Sequence, residues 1–293
     1  EVSPGIAATD VEHLAALTGP DDLRLSLYRS RRKDGGLRFK LYRQLDDIPL
    51  SDALPMMENM GLRVISEHPY KGDAASGLAY IQDFEVESLQ GELDIDAIDE
   101  DFEDAFARVW RGDAENDGFN RLILTAGLSW RQVAMLRGYC KYLLQVGVPF
   151  SQSYMEATLA RYPLLARLLV ELFEARFDPR TGSESDAEIK RGMSRFGAQL
   201  KSLSADDEAA MTVLMSVVEA RVKGRDAQVD AARNALLGLM DRVSSLDEDR
   251  ILRSFIGVID ATLRTSYYID YRGGLRKDGG PADYVSYKLD SSK

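Results

Sequence analysis

Alternation of apolar and polar residues marks the first part of the chain, in two short runs joined by turn residues. Every second position is apolar in "LRLSLYR" (23–29) and again in "LRFKLYR" (37–43), as a strand with one buried face requires. The letters "KDGG" lie between the runs, and Asp-Gly is a strong hairpin signal because glycine reaches positive φ without strain. The pattern predicts an antiparallel β-hairpin.

The spacing becomes helical in "DIPLSDALPMMENMGLRVISEHPY" (47–70), where the first half forms one apolar stripe: Leu50, Ala53, Leu54 and Met57. Ser51 is the expected N-cap, and Pro55 lies near the first turn, where a missing N–H costs least. Gly61 is expected in the left-handed conformation that ends a helix. The segment therefore predicts a helix followed directly by a strand.

Two more strands complete the first domain. "LRVISEH" and "AYIQDFEVES" are rich in strand-forming residues, and the turn "YKGDAASG" separates them. The element order over 23–92 is then β-β-α-β-β, which predicts an α+β fold with the helix on one face of an antiparallel sheet. Residues 1–22 show no clear pattern and are expected to form a partly flexible leader.

Helical spacing continues over 93–268 and predicts an all-helical bundle domain. Its best-bounded helix starts at a capping box of Ser129 and Gln132 and ends before Gly147. This helix is expected to be mostly buried, with one polar line along its length: Arg137, Lys141 and Gln145. We place this helix at the centre of the bundle.

Three further features organise the second half. Ser245 and Glu248 form a second capping box at the start of the last helix. Turn-forming residues predict a mobile loop near 178–190. The stretch 269–293 is glycine-rich and polar, and it reads as a linker without a core of its own.

Composition indicates a chain that folds without cross-links or metals. It has 293 residues, a formal net charge of −11 and one cysteine, Cys140, which excludes an intramolecular disulfide. The absence of a concentrated basic face argues against a nucleic-acid partner, and the cluster at 29–33 reads as a solvated hairpin end. No apolar run reaches the ~18 residues of a membrane span, and no signal-peptide pattern is present, so we expect a cytoplasmic protein.

Residues that usually carry catalysis or bind metals are sparse. His13 and His68 are the two histidines, and neither has a second ligand at metal-binding spacing. Four carboxylates at a helix start read as a solvated helix face rather than a calcium loop: Asp96, Asp99, Glu100 and Glu103. The glycines of 271–280 lack the flanking strand and helix of a phosphate-binding loop. We therefore assign no catalytic, cofactor-binding or metal-binding residue, and we expect Cys140 to be buried and inert.

Several blocks of the sequence resemble the large bacterial NAD-specific glutamate dehydrogenases. They are "LRFKLYR", "IPLSDALPMMENMGLRVISEHPY", the long stretch from "VWRGDAENDGFNRL" to "LFEARFDP", and "SLDEDRILRSFIGVIDATLRTSYY". The resemblance covers about Leu23 to Tyr268. It implies an ACT-like (ferredoxin-like) module followed by the family's helical segment, with 269–293 leading toward a catalytic domain that is missing from this chain.

The family's activity is the oxidative deamination of L-glutamate to 2-oxoglutarate and ammonia, with NAD as the hydride acceptor. The resemblance implies that this segment is inactive alone, holds no cofactor, and has a regulatory or assembly role in such an enzyme. Its implied partners are the catalytic domain of the same polypeptide and further copies of the chain, which would meet through the sheet edges or the long helices.

An amino-acid effector is the open alternative. ACT-like modules often bind amino acids where the first strand meets its helix, which here is the loop Arg43–Ser51. This loop lacks the usual glycine, and Asp46 and Asp47 would repel a carboxylate. If the loop does bind an amino acid, the chain reads instead as a free-standing amino-acid-binding regulatory protein.

Overall fold

A computed structural model describes residues 4–30, 35–74, 77–89, 94–181, 208–269 and 284–292. The chain divides into two compact units, Glu1–Leu124 and Thr125–Lys293. The fold is α+β, with a four-stranded antiparallel sheet and its helices followed by a largely helical region. The predicted fold class is confirmed.

The first unit is built on strands β1 (Leu23–Arg29), β2 (Leu37–Gln44), β3 (Leu62–Ala74) and β4 (Gly77–Ser88). Their order in the sheet is β1-β2-β4-β3, and all neighbours are antiparallel. The predicted hairpin is present, and the Ser30 N–H closes it by donating to the Gly36 carbonyl at 2.8 Å. Strands β3 and β4 are longer than expected, because their pairing continues through most of the predicted turn.

The described part of this unit includes the α-helices α1 (Pro4–Ala15), α2 (Leu50–Asn59) and α3 (Asp99–Trp110). The prediction that Ser51 caps α2 is wrong. Pro49 occupies the N-cap position in an extended conformation, so the helix begins before Ser51, whose hydroxyl instead contacts the Asp52 carboxylate at 3.2 Å. Gly61 has a φ of +88°, which confirms the predicted left-handed end.

Helices lie on both faces of the sheet, because α1 adds a helix that was not predicted. On one face the Phe39 ring packs edge-on against Phe102 and Phe106 of α3, with centroids 5.1 and 5.0 Å away. On the opposite face the Lys40 ammonium contacts Asp10 of α1 at 2.7 Å. The region expected to be a partly flexible leader therefore contains a helix that is tied to the sheet by a buried ion pair.

Both edge strands of the sheet carry features that oppose further strand pairing. On β1, the Leu27 N–H donates to the Glu103 carboxylate of α3 at 2.8 Å. On β3, Pro69 lacks a donor and the register shifts at Ile65. Glu103 is therefore not the solvated carboxylate that the sequence analysis expected, because its helix lies beside an open strand edge.

The rest of the chain is mainly helical, as predicted. Its helices are α4 (Leu122–Ala126), α5 (Trp130–Gln145), α6 (Gln152–Arg161), α7 (Pro163–Phe177), α8 (Glu208–Ala220), α9 (Arg225–Met240) and α10 (Leu246–Ala261). Two short strands follow, β5 (Thr262–Thr265) and β6 (Tyr287–Leu289), and they pair antiparallel. Strand β6 lies in the stretch predicted as a linker, whose residues 270–283 are outside the described ranges. Of the predicted mobile loop, residues 182–190 are also outside them.

The helix caps differ in how well the sequence predicts them. The capping box of Ser129 and Gln132 is present in full at the start of α5. Ser245 caps α10, but the reciprocal half of its box is absent because the Glu248 carboxylate binds elsewhere.

Arg137, predicted on a polar line, is only 4% exposed. Across the described helices, none combines the length and the apolarity that a bilayer crossing needs.

We expect Asp10→Ala to lower the free energy of unfolding by about 3 kcal/mol, because it leaves the buried Lys40 ammonium without its partner. Urea unfolding of the variant measures the loss. The control is Asp21→Ala, which removes an exposed carboxylate near the same sheet. Replacing the pair with Asp10→Leu and Lys40→Met should recover most of the loss, since no charge then remains buried. A change within about 0.5 kcal/mol for Asp10→Ala would contradict the assignment.

Glu103 makes the stability of the first unit depend on pH. Burial raises the pKa of the Glu103 carboxyl to about 7, whereas in the unfolded chain it stays near its ordinary value. The stabilising contribution is thus fully present below the unfolded pKa and is lost as the pH rises through about 7. We expect Glu103→Gln, which keeps an acceptor for Leu27, to match the parent chain at low pH and to exceed it at pH 8 by about 1 kcal/mol.

Thermal unfolding between pH 4.5 and pH 8 tests this expectation, with Glu100→Gln on the exposed side of the same helix as the control. Equal pH profiles for the parent chain and Glu103→Gln would show that the carboxyl is not desolvated.

Candidate functional site

The residues singled out for chemistry belong to separate elements. His13 stacks on Tyr42 with ring centroids 4.7 Å apart, and burial lowers the pKa of its imidazole. His68 is exposed on β3, 3.4 Å from the Ser66 hydroxyl. Cys140 is fully buried in α5, which fits the predicted structural role. Among the described residues, no group of three His, Cys, Asp or Glu side chains could hold a metal ion. The side chain of Asp96 and the residues 271–280 are outside the described part.

The loop Arg43–Ser51, the candidate amino-acid site, is held by a side chain of its own sheet. Gln82 of β4 is 4% exposed and reaches the loop with both ends of its amide. Its oxygen accepts from the Ile48 N–H at 2.9 Å, and its nitrogen donates to the Ile48 carbonyl at 2.9 Å and to Glu67 at 3.1 Å. The backbone groups that an incoming amino acid would use at Ile48 are therefore already paired. We call this contact the Gln82 clamp.

The charged residues of the loop are also arranged unfavourably for an amino acid. The Arg43 side chain donates to the Pro20 carbonyl at 3.2 Å and lies over the Trp110 ring at 5.6 Å, so its guanidinium is turned away from the loop. Asp46 and Asp47 are exposed. Leu45 has a φ of +68°, a conformation that glycine adopts at lower cost. The geometry favours a closed loop over an effector site.

A second candidate site lies within the helical unit, where α5 and α7 meet the β5–β6 ribbon. An aromatic cluster forms this contact, and we call it the junction. The Tyr287 ring lies 4.6 Å from Tyr139 and 6.5 Å from Phe173, and Tyr267 packs edge-on against Phe173 at 5.2 Å. The Tyr139 hydroxyl is 2.9 Å from the Thr262 hydroxyl. Burial raises the pKa of the Tyr139 and Tyr287 phenols, so both remain protonated at neutral pH.

Gly138 brings α5 close to the ribbon. A Cβ atom at this position would lie 3.2 Å from Cε2 and 3.3 Å from the hydroxyl of Tyr287, closer than ordinary van der Waals contact. Glycine at 138 therefore lets the tyrosine ring lie directly on the helix. An added Cβ would meet nothing within 4 Å at other glycines of the same unit: Gly147, Gly224, Gly238 and Gly257.

Around the aromatic cluster, arginines of α5 and α7 form hydrogen bonds with the end of α10 and with the residues that follow it. Arg176 of α7 donates to the carbonyls of Asp260 and Thr262 at 3.2 and 3.1 Å, where α10 ends and β5 begins. Arg131 of α5 donates to the Tyr267 carbonyl and lies over the Tyr267 ring. The bond to Asp260 satisfies a carbonyl in the last turn of α10, where no later residue of the helix can donate to it. At the other end of α10, the Tyr162 hydroxyl donates to the buried Glu248 carboxylate at 2.8 Å.

Two acidic residues of α7, the buried Glu171 and the partly exposed Glu174, lie in the same helix as Phe173 of the junction. Glu171 is 0% exposed and binds Arg167 at 3.1 Å and Arg221 at 2.6 Å. Burial alone would raise the pKa of Glu171, but the two arginines outweigh it and hold the pKa below its usual value. Burial, and then the Glu171 charge, raise the pKa of Glu174, which accepts from the Gln132 amide at 2.7 Å. The arrangement keeps one carboxylate charged and favours a proton on the other.

Sequence analysis did not find the junction or the Gln82 clamp. The sequence signal for the junction is the tyrosine-rich "LRTSYYI" (263–269) followed by "YVSYKL" (284–289), in a region that read as a helix end and a linker. No signal marks Gln82, because an isolated glutamine in a strand reads as a surface residue.

Comparison with protein families places three family models along the chain. Residues 22–98 match the ACT3 domain of glutamate dehydrogenase, residues 114–179 match its helical motif 3, and residues 235–293 match the catalytic domain of bacterial NAD-glutamate dehydrogenase. The third match begins upstream of the linker that the sequence analysis drew at 269–293, and it contains α10, β5 and β6.

Curated relatives agree with these matches. The chain is 37% identical over 295 residues to the NAD-specific glutamate dehydrogenase of Halomonas elongata, which covers 100% of this chain and 15% of the relative. The enzymes of the same name from Pseudomonas aeruginosa and Mycobacterium tuberculosis are 35% and 33% identical, over 98% and 94% of this chain. The chain spans 15% of the length of each of these relatives.

We expect Gln82→Met to destabilise the first unit by about 3 kcal/mol, because it leaves the buried N–H and carbonyl of Ile48 without partners. Urea unfolding measures this loss, and Glu58→Met, at an exposed position of α2, is the control. Calorimetric titration of the parent chain with amino acids should show no heat of binding at the loop Arg43–Ser51. Millimolar or tighter binding that Gln82→Met changes would instead support the effector alternative.

Proposed function

The chain belongs to the family of large bacterial NAD-specific glutamate dehydrogenases, and on that premise we propose that it is a non-catalytic regulatory and assembly segment of such an enzyme. Its specific task is to hold part of the catalytic domain in place. In this role the helical unit supports the region matched by the catalytic-domain model, and the ACT-like unit serves assembly rather than sensing.

The junction is the observation that carries this proposal. It joins residues matched by helical motif 3 to residues matched by the catalytic domain. Tyr139 and Phe173 lie on the first side, and Thr262, Tyr267 and Tyr287 lie on the second. A contact that combines buried aromatic rings with charge-assisted hydrogen bonds resists sliding and rotation. It is suited to fixing the position of one region against another.

The reaction itself is proposed for the whole polypeptide. Its relatives are named NAD-specific glutamate dehydrogenases, so the proposed reaction removes the amino group of L-glutamate oxidatively, forms 2-oxoglutarate and ammonia, and passes a hydride to NAD. Within the described residues we assign no group to that chemistry. We propose that the segment alone is inactive, that its partner is the catalytic domain of the same polypeptide, and that it works in the cytoplasm.

Assembly is the better-supported role for the ACT-like unit. The Gln82 clamp pairs the backbone groups of Ile48 that an amino acid would need, which supports attachment over sensing. Glu103 and Pro69 oppose pairing at the two sheet edges. The proposed contacts between copies of the chain therefore use helices rather than the sheet edges.

The test uses the full-length polypeptide that contains this segment. Gly138→Leu forces the Tyr287 ring away from α5, and we expect it to lower the kcat for L-glutamate oxidation about tenfold or more, because the catalytic region shifts from its working position. The far-ultraviolet circular dichroism should stay unchanged, which separates displacement from unfolding.

Gly257→Leu is the matched control, since an added Cβ there meets nothing within 4 Å and the helix is adjacent to the junction. It should retain the parent kcat. If both variants keep full activity, the junction does not position the catalytic region. If the full-length parent polypeptide has no glutamate dehydrogenase activity, the proposed reaction is wrong.

A further inference from the structure

The β5–β6 ribbon is too small to be a complete sheet. Its strands have 4 and 3 residues, and Leu263 lies at an irregularity in their register. Two bonds extend the pairing: the Ser266 N–H donates to the Ser286 carbonyl at 3.1 Å, and the Asp290 N–H donates to the Ala261 carbonyl at 2.8 Å. Isolated two-stranded ribbons are marginally stable in water, so neighbouring structure must support this one.

The β5 side of the ribbon is supported by helices. The Thr262 side chain is fully buried, and its N–H donates to the Ile259 carbonyl at the end of α10. The Thr262 carbonyl accepts from Arg176 at 3.1 Å. An added strand would have to displace this arginine, and it would meet α10 as well. The outer edge of β5 is therefore closed at Thr262.

The outer edge of β6 is open. Ser286 and Asp290 both direct backbone groups toward β5, and in an antiparallel strand alternate residues direct theirs to opposite edges. The N–H and carbonyl groups of Tyr287 and Leu289 therefore face away from β5. No described residue forms a hydrogen bond with them. The edge offers two donors and two acceptors in register for another strand.

Apolar side chains are exposed on and beside the ribbon. Leu263 is 56% exposed, Ile269 is 49% exposed and Tyr284 is 63% exposed. The apolar rings of the inner side are meanwhile covered by α5 and α7. An open strand edge together with uncovered apolar side chains is typical of a sheet that continues in a partner.

We propose that a strand from the remainder of the catalytic domain of the same polypeptide pairs with the outer edge of β6 and covers the exposed side chains near it. This proposal rests on the proposed function and deepens it. The match of 235–293 to the catalytic-domain model places the ribbon in that domain, and the chain spans only 15% of its relatives, so further sequence of that domain is the nearest source of a strand. The ribbon is then paired with a strand of the catalytic domain on one side and packed against α5 and α7 on the other.

Residue-resolved hydrogen exchange, read by electron-transfer fragmentation, tests this pairing in the 293-residue chain and in the full-length polypeptide. The amides of Tyr287 and Leu289 should exchange quickly in the shorter chain and at least about 100-fold more slowly in the longer one. The Lys288 amide faces β5 and is the internal control, which should be protected in both.

Each result is decisive for the pairing. Fast exchange of Tyr287 and Leu289 in the full-length polypeptide would overturn it, even if that polypeptide oxidises L-glutamate. Protection that already appears in the shorter chain and grows with its concentration would identify a second copy as the occupant, and it would also overturn the proposal. Protection without dehydrogenase activity would support strand addition while refuting the proposed reaction.

Discussion

Helix α7 carries a fully buried carboxylate, and the packing of the helical unit depends on how that charge is neutralised. An ionised Glu171 without partners would cost several kcal/mol, so Arg167 and Arg221 must both reach it. Arg221 comes from the turn after α8, so the requirement ties a distant part of the chain to α7. One helical turn later Glu174 binds Gln132, which is also half of the capping box that starts α5. The partners that Glu171 and Glu174 require thereby fix the positions of α5 and α7, the two helices of the junction.

The parts of the fold that sequence predicts are those in which the cause is local. Alternation identifies β1 and β2, a glycine ends α2, and the box of Ser129 and Gln132 starts α5. Each of these signals acts over a few residues, so neighbours in sequence suffice to recognise it. Helix α1 was not predicted, because its attachment to the sheet comes from Asp10 and Lys40, which are 30 residues apart. Ser51 was misassigned because Pro49 starts the helix earlier.

The candidate site was harder to predict because its residues are ordinary until the fold brings them together. Gln82 is a polar residue in a strand, and nothing near it in sequence shows that it faces the Ile48 loop. Glu248 has the spacing of a capping residue, yet a stronger set of partners from Arg161 and Tyr162 takes its carboxylate. Tyr287 becomes part of the junction only because Gly138, far away in the chain, has no side chain. Long-range polar and aromatic contacts of this kind leave no periodic pattern.

The Gln82 clamp completes the loop Arg43–Ser51 with a side chain of the protein itself. A module that needs a bound metabolite gains stability in proportion to the logarithm of that metabolite's concentration, and it loosens when the supply falls. Here the amide that completes the loop is covalently part of the chain, so its local concentration never changes. The pairing of Ile48 with Gln82 therefore does not depend on the concentration of any metabolite. In the proposed full-length enzyme, the loop would keep this geometry while the amino-acid concentration changes.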